Sequence, residues 1–190
     1  FSAQDDGSAY AISVFADPST PAQTCSVTGN GTGTLAGSSI ASVEVTCTTQ
    51  TFTVGGTVSG LAGSGLQLRN NGGDTQSVAA GGDGSFTFSA QDDGSAYAIS
   101  VFADPSTPAQ TCTVTANGTG TLAGANITTV SVTCTTLTFT VGGTVSGLVG
   151  SGLQLRNNGG DTQSVASGGA GTFTFSAQDD GSAYAISVFA

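Results

Sequence analysis

Histidine, lysine, methionine and tryptophan are absent from this sequence, and Arg69 and Arg156 are its only cations. Those absences remove the residues on which general acid–base catalysis, imidazole metal sites and lysine covalent chemistry usually depend. No nucleophile, base and orienting group come together in the sequence, so an enzyme is not expected and no cofactor is implied. The net charge is −10, which repels a phosphate backbone or an anionic membrane surface and excludes nucleic acid as a partner. No apolar run approaches the roughly 20 residues that cross a bilayer as a helix, so no membrane insertion is expected of this segment. Charged residues make up only 7% of the chain. Val, Ile, Leu, Phe and Tyr nevertheless alternate regularly enough to bury one side of a sheet, which indicates small β domains rather than a disordered tract.

The dominant positive feature is repetition. Phe1-Ser2-Ala3-Gln4-Asp5-Asp6-Gly7 recurs at Phe88 and at Phe175, two steps of 87 residues. A fixed period marks an array of like modules and outranks any local motif. The chain spans two periods plus sixteen residues, and the last sixteen repeat the first sixteen. It opens and closes inside a module and has no initiator Met, so it reads as a piece of a longer polypeptide.

Parity of the apolar residues places the module boundary. Val130, Val132 and Cys134 occupy even positions, whereas Leu137, Phe139 and Val141 continue on odd ones. The face flips near Thr135-Thr136. Residues 51–137 then form a complete β-sandwich repeat, 1–50 the C-terminal part of one and 138–190 the N-terminal part of the next. The linker between modules is two or three β-prone residues at most, which predicts a stiff array.

Within 51–137, short alternating runs separated by Gly, Asn, Asp and Pro clusters predict an all-β fold of tandem seven-stranded sandwich modules. Strands are expected at 52–59, 66–70, 75–79, 85–90, 96–103, 110–116 and 126–135. Asn70-Asn71-Gly72-Gly73-Asp74 and Gly81-Gly82-Asp83-Gly84 supply the positive-φ residues of tight hairpins. Asp104-Pro105-Ser106-Thr107-Pro108 reads as a turn that crosses between sheets or caps one end.

Cys25 and Cys47 lie 22 residues apart, as do Cys112 and Cys134, one pair per module. A hairpin that sets Cys112 against Cys134 also sets Val114 against Val132 and Ala116 against Val130. Directly opposed positions bring Cα atoms within the roughly 4.4–6.8 Å that a disulfide requires. Closing such a loop stabilises a module by roughly 3 kcal/mol in the chain-entropy model. Zinc would require four ligands, and each module offers two thiols and no His, so disulfides within modules are expected. They imply an oxidising, extracellular setting.

Gly84-Ser85-Phe86-Thr87-Phe88, then Gly94 and Tyr97-Ala98-Ile99-Ser100-Val101, is similar to the pattern of prealbumin-like and collagen-adhesin B-type sandwich modules. Val54-Gly55-Gly56-Thr57-Val58-Ser59-Gly60-Leu61 looks like their first strand. The whole repeat resembles the tandem Ig-like repeats of large bacterial surface and secreted proteins. That resemblance implies a cell-surface or secreted structural role. Pili of the collagen-adhesin type are often locked by Lys–Asn isopeptide bonds, which a chain without lysine cannot form, and the Cys pair is the obvious substitute.

Several groups invite a functional reading beside a plain one. Asp92 and Asp93, with Asp74 and Asp83 on nearby turns, are calcium candidates, as are Asp5-Asp6 and Asp179-Asp180. Ca2+ takes six to eight oxygens, and these acids lack regular loop spacing, so solvated turn residues are the plainer reading and no metal site is assigned. Asn30-Gly31-Thr32, Asn117-Gly118-Thr119 and Asn126-Ile127-Thr128 fit the N-glycosylation sequon but also read as Gly turns. Thr-rich strands suit ice or carbohydrate binding, and Thr is equally a good strand residue. Tyr10, Tyr97 and Tyr184, with Phe86 and Phe88, stand on alternating positions and are expected in the core.

These observations lead to an expected function. The chain is read as a structural extracellular fibre or stalk of head-to-tail, disulfide-stapled β-sandwich repeats, a bacterial surface filament whose partner is itself. The alternative is an adhesin or binding module that contacts carbohydrate, ice or a partner protein. The split modules require completion, either by further repeats of the same chain or by 138–190 of one copy meeting 1–50 of its neighbour.

Overall fold

The computed structural model describes residues 1–81 and 84–189, and every regular element in it is a strand. The first segment holds β1 (Ala9–Ala11), β2 (Gln23–Gly29), β3 (Thr32–Thr34) and β4 (Glu44–Thr49). The middle holds β5 (Thr51–Phe52), β6 (Val54–Ser59), β7 (Gln67–Asn70), β8 (Asp74–Ser77), β9 (Gly84–Thr87), β10 (Gln91–Asp92), β11 (Ala96–Ala103), β12 (Gln110–Ala116), β13 (Thr119–Thr121) and β14 (Ile127–Thr136). The last holds β15 (Thr138–Phe139), β16 (Gly142–Leu148), β17 (Leu153–Asn157), β18 (Asp161–Val165), β19 (Gly169–Thr174), β20 (Gln178–Asp179) and β21 (Ile186–Phe189).

The middle segment builds two four-stranded sheets, in the orders β13-β11-β7-β8 and β12-β14-β6-β9. Alternation drives both: on β6, Val54 and Val58 point inward while Thr57 and Ser59 face outward. The inward residues of both sheets, among them Val58, Leu68, Phe86, Tyr97, Ile99 and Val132, join the Cys112–Cys134 pair in one shared core. The β6–β14 pairing is parallel. It demands glycine at Gly56, because a Cβ there would collide with the Val130 carbonyl oxygen. The Asp104–Pro108 segment leads from β11 in one sheet to β12 in the other, so it crosses between them.

The structure alters some expected details. The expected 52–59 strand is broken at Thr53, and the short strands β10 and β13 were not foreseen. Ala116 faces Ser131 rather than Val130, because the register slips by one residue after Val114–Val132. At the β7–β8 hairpin a three-residue loop, 71–73, joins the paired Asn70 and Asp74, and Asn71 (φ 50°) and Gly72 (φ 71°) both take the left-handed backbone that suits the right-handed twist of the strands. The Gly82-Asp83 part of the other expected turn lies outside the described residues.

Candidate functional site: the staple and the module junction

Two disulfides are present, Cys25–Cys47 and Cys112–Cys134, each across a two-stranded hairpin in which the cysteines face one another. Their Cα atoms lie 4.0 Å apart, closer than the range expected from the sequence. The opposed cysteines occupy a narrow, non-hydrogen-bonded position of the ladder, where Cα atoms approach most closely. The Cys112 N–H points away from its partner and donates to Asp104 Oδ1 at 2.8 Å, and the Cys25 N–H does the same to Asp17 Oδ1 at 2.8 Å.

The candidate calcium acids do different work. Asp74 Oδ2 accepts the Ser89 N–H at 2.7 Å. Asp92 is exposed on β10, opposite Thr51. Asp83 lies outside the described residues. Among the described residues, no group of three or more His, Cys, Asp or Glu side chains is placed to hold a metal ion.

Asp93 joins the 51–137 segment to the one before it. It is only 6% exposed. Its Oδ1 accepts the Gly124 N–H within the 51–137 segment at 2.7 Å, and its Oδ2 accepts the Ala22 N–H of the 1–50 segment at 2.6 Å. Hydrogen bonds from the Ala22 N–H first, then from Gly124 and Gly94, hold its carboxyl below the usual carboxylate range against the opposing effect of desolvation. Gln50, the residue that connects the modules, donates its N–H to the Ala22 carbonyl at 2.9 Å and accepts the Asp93 N–H at 2.8 Å. Ala22, Gln50 and Asp93 therefore close a ring of three hydrogen bonds. The next junction repeats it with Ala109, Leu137 and Asp180, at 2.7, 2.9 and 2.8 Å in the same order. Short antiparallel pairs, β5 with β10 and β15 with β20, continue directly from each connector.

The outer face of the β12-β14-β6-β9 sheet is covered with hydroxyls. Thr113 faces Thr133, which faces Ser59, and the Ser59 hydroxyl donates to Thr133 Oγ1 at 3.3 Å. Of the aromatics expected in the core, Phe86, Phe88 and Tyr97 are buried, whereas Tyr184 is exposed; Phe102 also lies exposed, beneath the Arg69 guanidinium, 3.2 Å from its ring centroid. Arg156 stacks on Phe189 in the same way at 3.4 Å. Asn30 and Asn117 of the sequons occupy left-handed turns, with φ 51° and 53°, and donate their side-chain amides to the carbonyls of Ser42 and Thr129. The Gly-turn reading accounts for both. Neither the junction ring nor the Arg–Phe stack was foreseen from the sequence. The only available signal was the recurrence of Asp93-Gly94 and Pro21-Ala22 one period on, which every residue of a repeat shares.

No family model matches the chain, and no match was found among curated proteins or solved structures.

Proposed function

We propose that this chain is a segment of a structural fibre or stalk, built of tandem Ig-like sandwich modules with an 87-residue period and one disulfide each. The observation that carries the reading is the junction: the same closed ring of hydrogen bonds links both pairs of successive modules, with no flexible linker between them. Modules joined by identical contacts propagate as a regular rod or helix. Its work is mechanical. The disulfide keeps each hairpin from unravelling, and the connectors transmit force and orientation.

The two disulfides favour an oxidising, extracellular setting, and a bacterial cell surface is the location we assign. The partner is the same sequence again, as further repeats of one chain or as neighbouring copies. The uniform hydroxyl face, without an aromatic platform, favours the stalk over an adhesin that grips sugar, ice or a partner protein. The reading involves no catalytic step.

Electron microscopy of the native material tests it. The longest strands of the middle segment, β11, β12 and β14, run seven to ten residues, which with their end loops gives an axial repeat of roughly 35–45 Å. Compact monomeric particles, or a repeat well below that range, would overturn the proposal. Reducing, denaturing electrophoresis of the same material then shows whether the repeats are covalently continuous: a ladder or very large band means that they are, and short chains mean that contacts alone hold them together.

A further inference from the structure

We infer that Asp93 and Asp180 are junction locks, which recognise the Pro-Ala loop at the end of the preceding module and set the rotation of one module against the next. The inference rests on the tandem-rod reading and names the residues that make the rod stiff.

Three observations carry it. First, the lock uses one carboxylate for two modules. Asp93 Oδ1 is held by Gly124 within its own module and Oδ2 reaches Ala22 in the preceding one, so a rotation at the connector breaks a short charge-assisted bond. Second, the geometry does not depend on the side chain of the connecting residue. That residue is Gln50 at one junction and Leu137 at the other, yet the ring distances are 2.6, 2.9 and 2.8 Å against 2.7, 2.9 and 2.8 Å. Every donor is a backbone N–H, so recognition reads the shape of the loop rather than its side chains.

Third, the intramodule half of the lock recurs at the equivalent residue one period earlier. Asp6 Oδ1 accepts the Gly37 N–H at 2.6 Å, as Asp93 Oδ1 accepts that of Gly124. The following glycine completes the fit. Gly94 has φ +85° and Gly181 φ +83°, and an added Cβ would lie 3.7 Å from Pro21 Cβ or 3.8 Å from Pro108 Cβ. Any larger side chain would meet the proline ring and be strained in its own backbone.

Asp93→Asn tests the lock in the 190-residue chain. It presents an amide N–H to one of two backbone donors, so one bond of the pair is lost. Thermolysin cleavage before Phe52 is expected to rise about tenfold, the scale set by losing a hydrogen bond to a charged acceptor, and the small-angle X-ray distance distribution to broaden. Asp104→Asn removes a carboxylate that bonds within its module and is expected to leave connector cleavage at the wild-type rate. Hydrogen exchange on the unaltered protein gives an answer that does not depend on a variant folding: the amides of Ala22, Gln50 and Asp93 should be protected together. Free exchange at Ala22, or an Asp93→Asn chain cleaved and shaped like the wild type, would overturn the lock. A wild-type distribution that is itself broad would instead overturn the rod.

Discussion

Residues 51–137 and the flanking segments carry nearly the same sequence and bury it very differently. Val132 is 1% exposed and its repeat Val45 is 53% exposed; Tyr97 is 6% exposed and its repeat Tyr184 62%. The hairpins themselves do not differ: Cys25–Cys47 and Cys112–Cys134 share a separation of 22 residues and a Cα distance of 4.0 Å. Pairing of neighbouring strands is a local property that each segment achieves alone. Burial of Val132 comes from the opposing sheet and the parallel partner β6; among the described residues no strand takes those places beside β4.

The largest test of that contrast introduces charge. In the isolated 190-residue polypeptide, Val132→Asp places an unpaired carboxylate in the shared core and should cost at least about 4 kcal/mol, while Val45→Asp should change stability by less than about 0.5 kcal/mol. Denaturant titration followed by far-UV circular dichroism measures both, and equal losses would break the comparison. Replacing Cys112 and Cys134 together by serine should cost about 3 kcal/mol in the same titration. The contrast sharpens under mild thiol, because Cys47 is exposed whereas Cys112 and Cys134 are buried. Alkylation and mass analysis should find Cys25–Cys47 reduced first; simultaneous reduction would mean that both hairpins are equally covered.

A smaller effect is expected at Gln110. Its Oε1 accepts the N–H groups of Ala62 and Gly63, and its Nε2 donates to the Gly60 carbonyl and Thr136 Oγ1. Among the described residues the side chain of Gln23, its repeat, bonds only the Thr49 hydroxyl. Gln110→Ala should cost about 1–3 kcal/mol by stranding buried backbone groups, and Gln23→Ala little; similar melting shifts for the two would count against the difference in burial.

The mildest test is pH. The Asp93 carboxyl is depressed by the amides that it accepts, so its contribution is present above the usual carboxylate range and is lost as pH falls through the depressed value. No titratable side chain lies on the 18–22 loop or on 121–124, and Asp92 beside it is exposed. Connector opening, followed with an acid-active protease, should therefore stay constant from neutral pH down to the ordinary carboxylate range and then rise progressively as pH falls from that range toward the depressed value. A rise already near neutrality would assign the junction's pH response to other groups.

Much of the β architecture is legible in the sequence because alternation is a period-two signal carried by adjacent residues. Val130, Val132 and Cys134 mark an inward face whatever lies opposite. The register slip at Ala116, the short strand β13 and the break at Thr53 are not legible, since each depends on the strand placed alongside. The acids illustrate the limit further. Asp74, Asp92 and Asp93 are alike as sequence, and only the structure separates an intramodule cap, an exposed strand residue and a bridge between modules.

The sequence by itself determined the 87-residue period, the all-β character and the facing of the cysteines, because these follow from repetition, from alternation and from spacing along a single hairpin. Tertiary structure alone decided the parallel β6–β14 pairing, the hydroxyl face and the ring that joins Ala22, Gln50 and Asp93. Each of those unites residues dozens of positions apart, and the ring is made largely of backbone N–H and carbonyl groups, which every residue type other than proline presents alike.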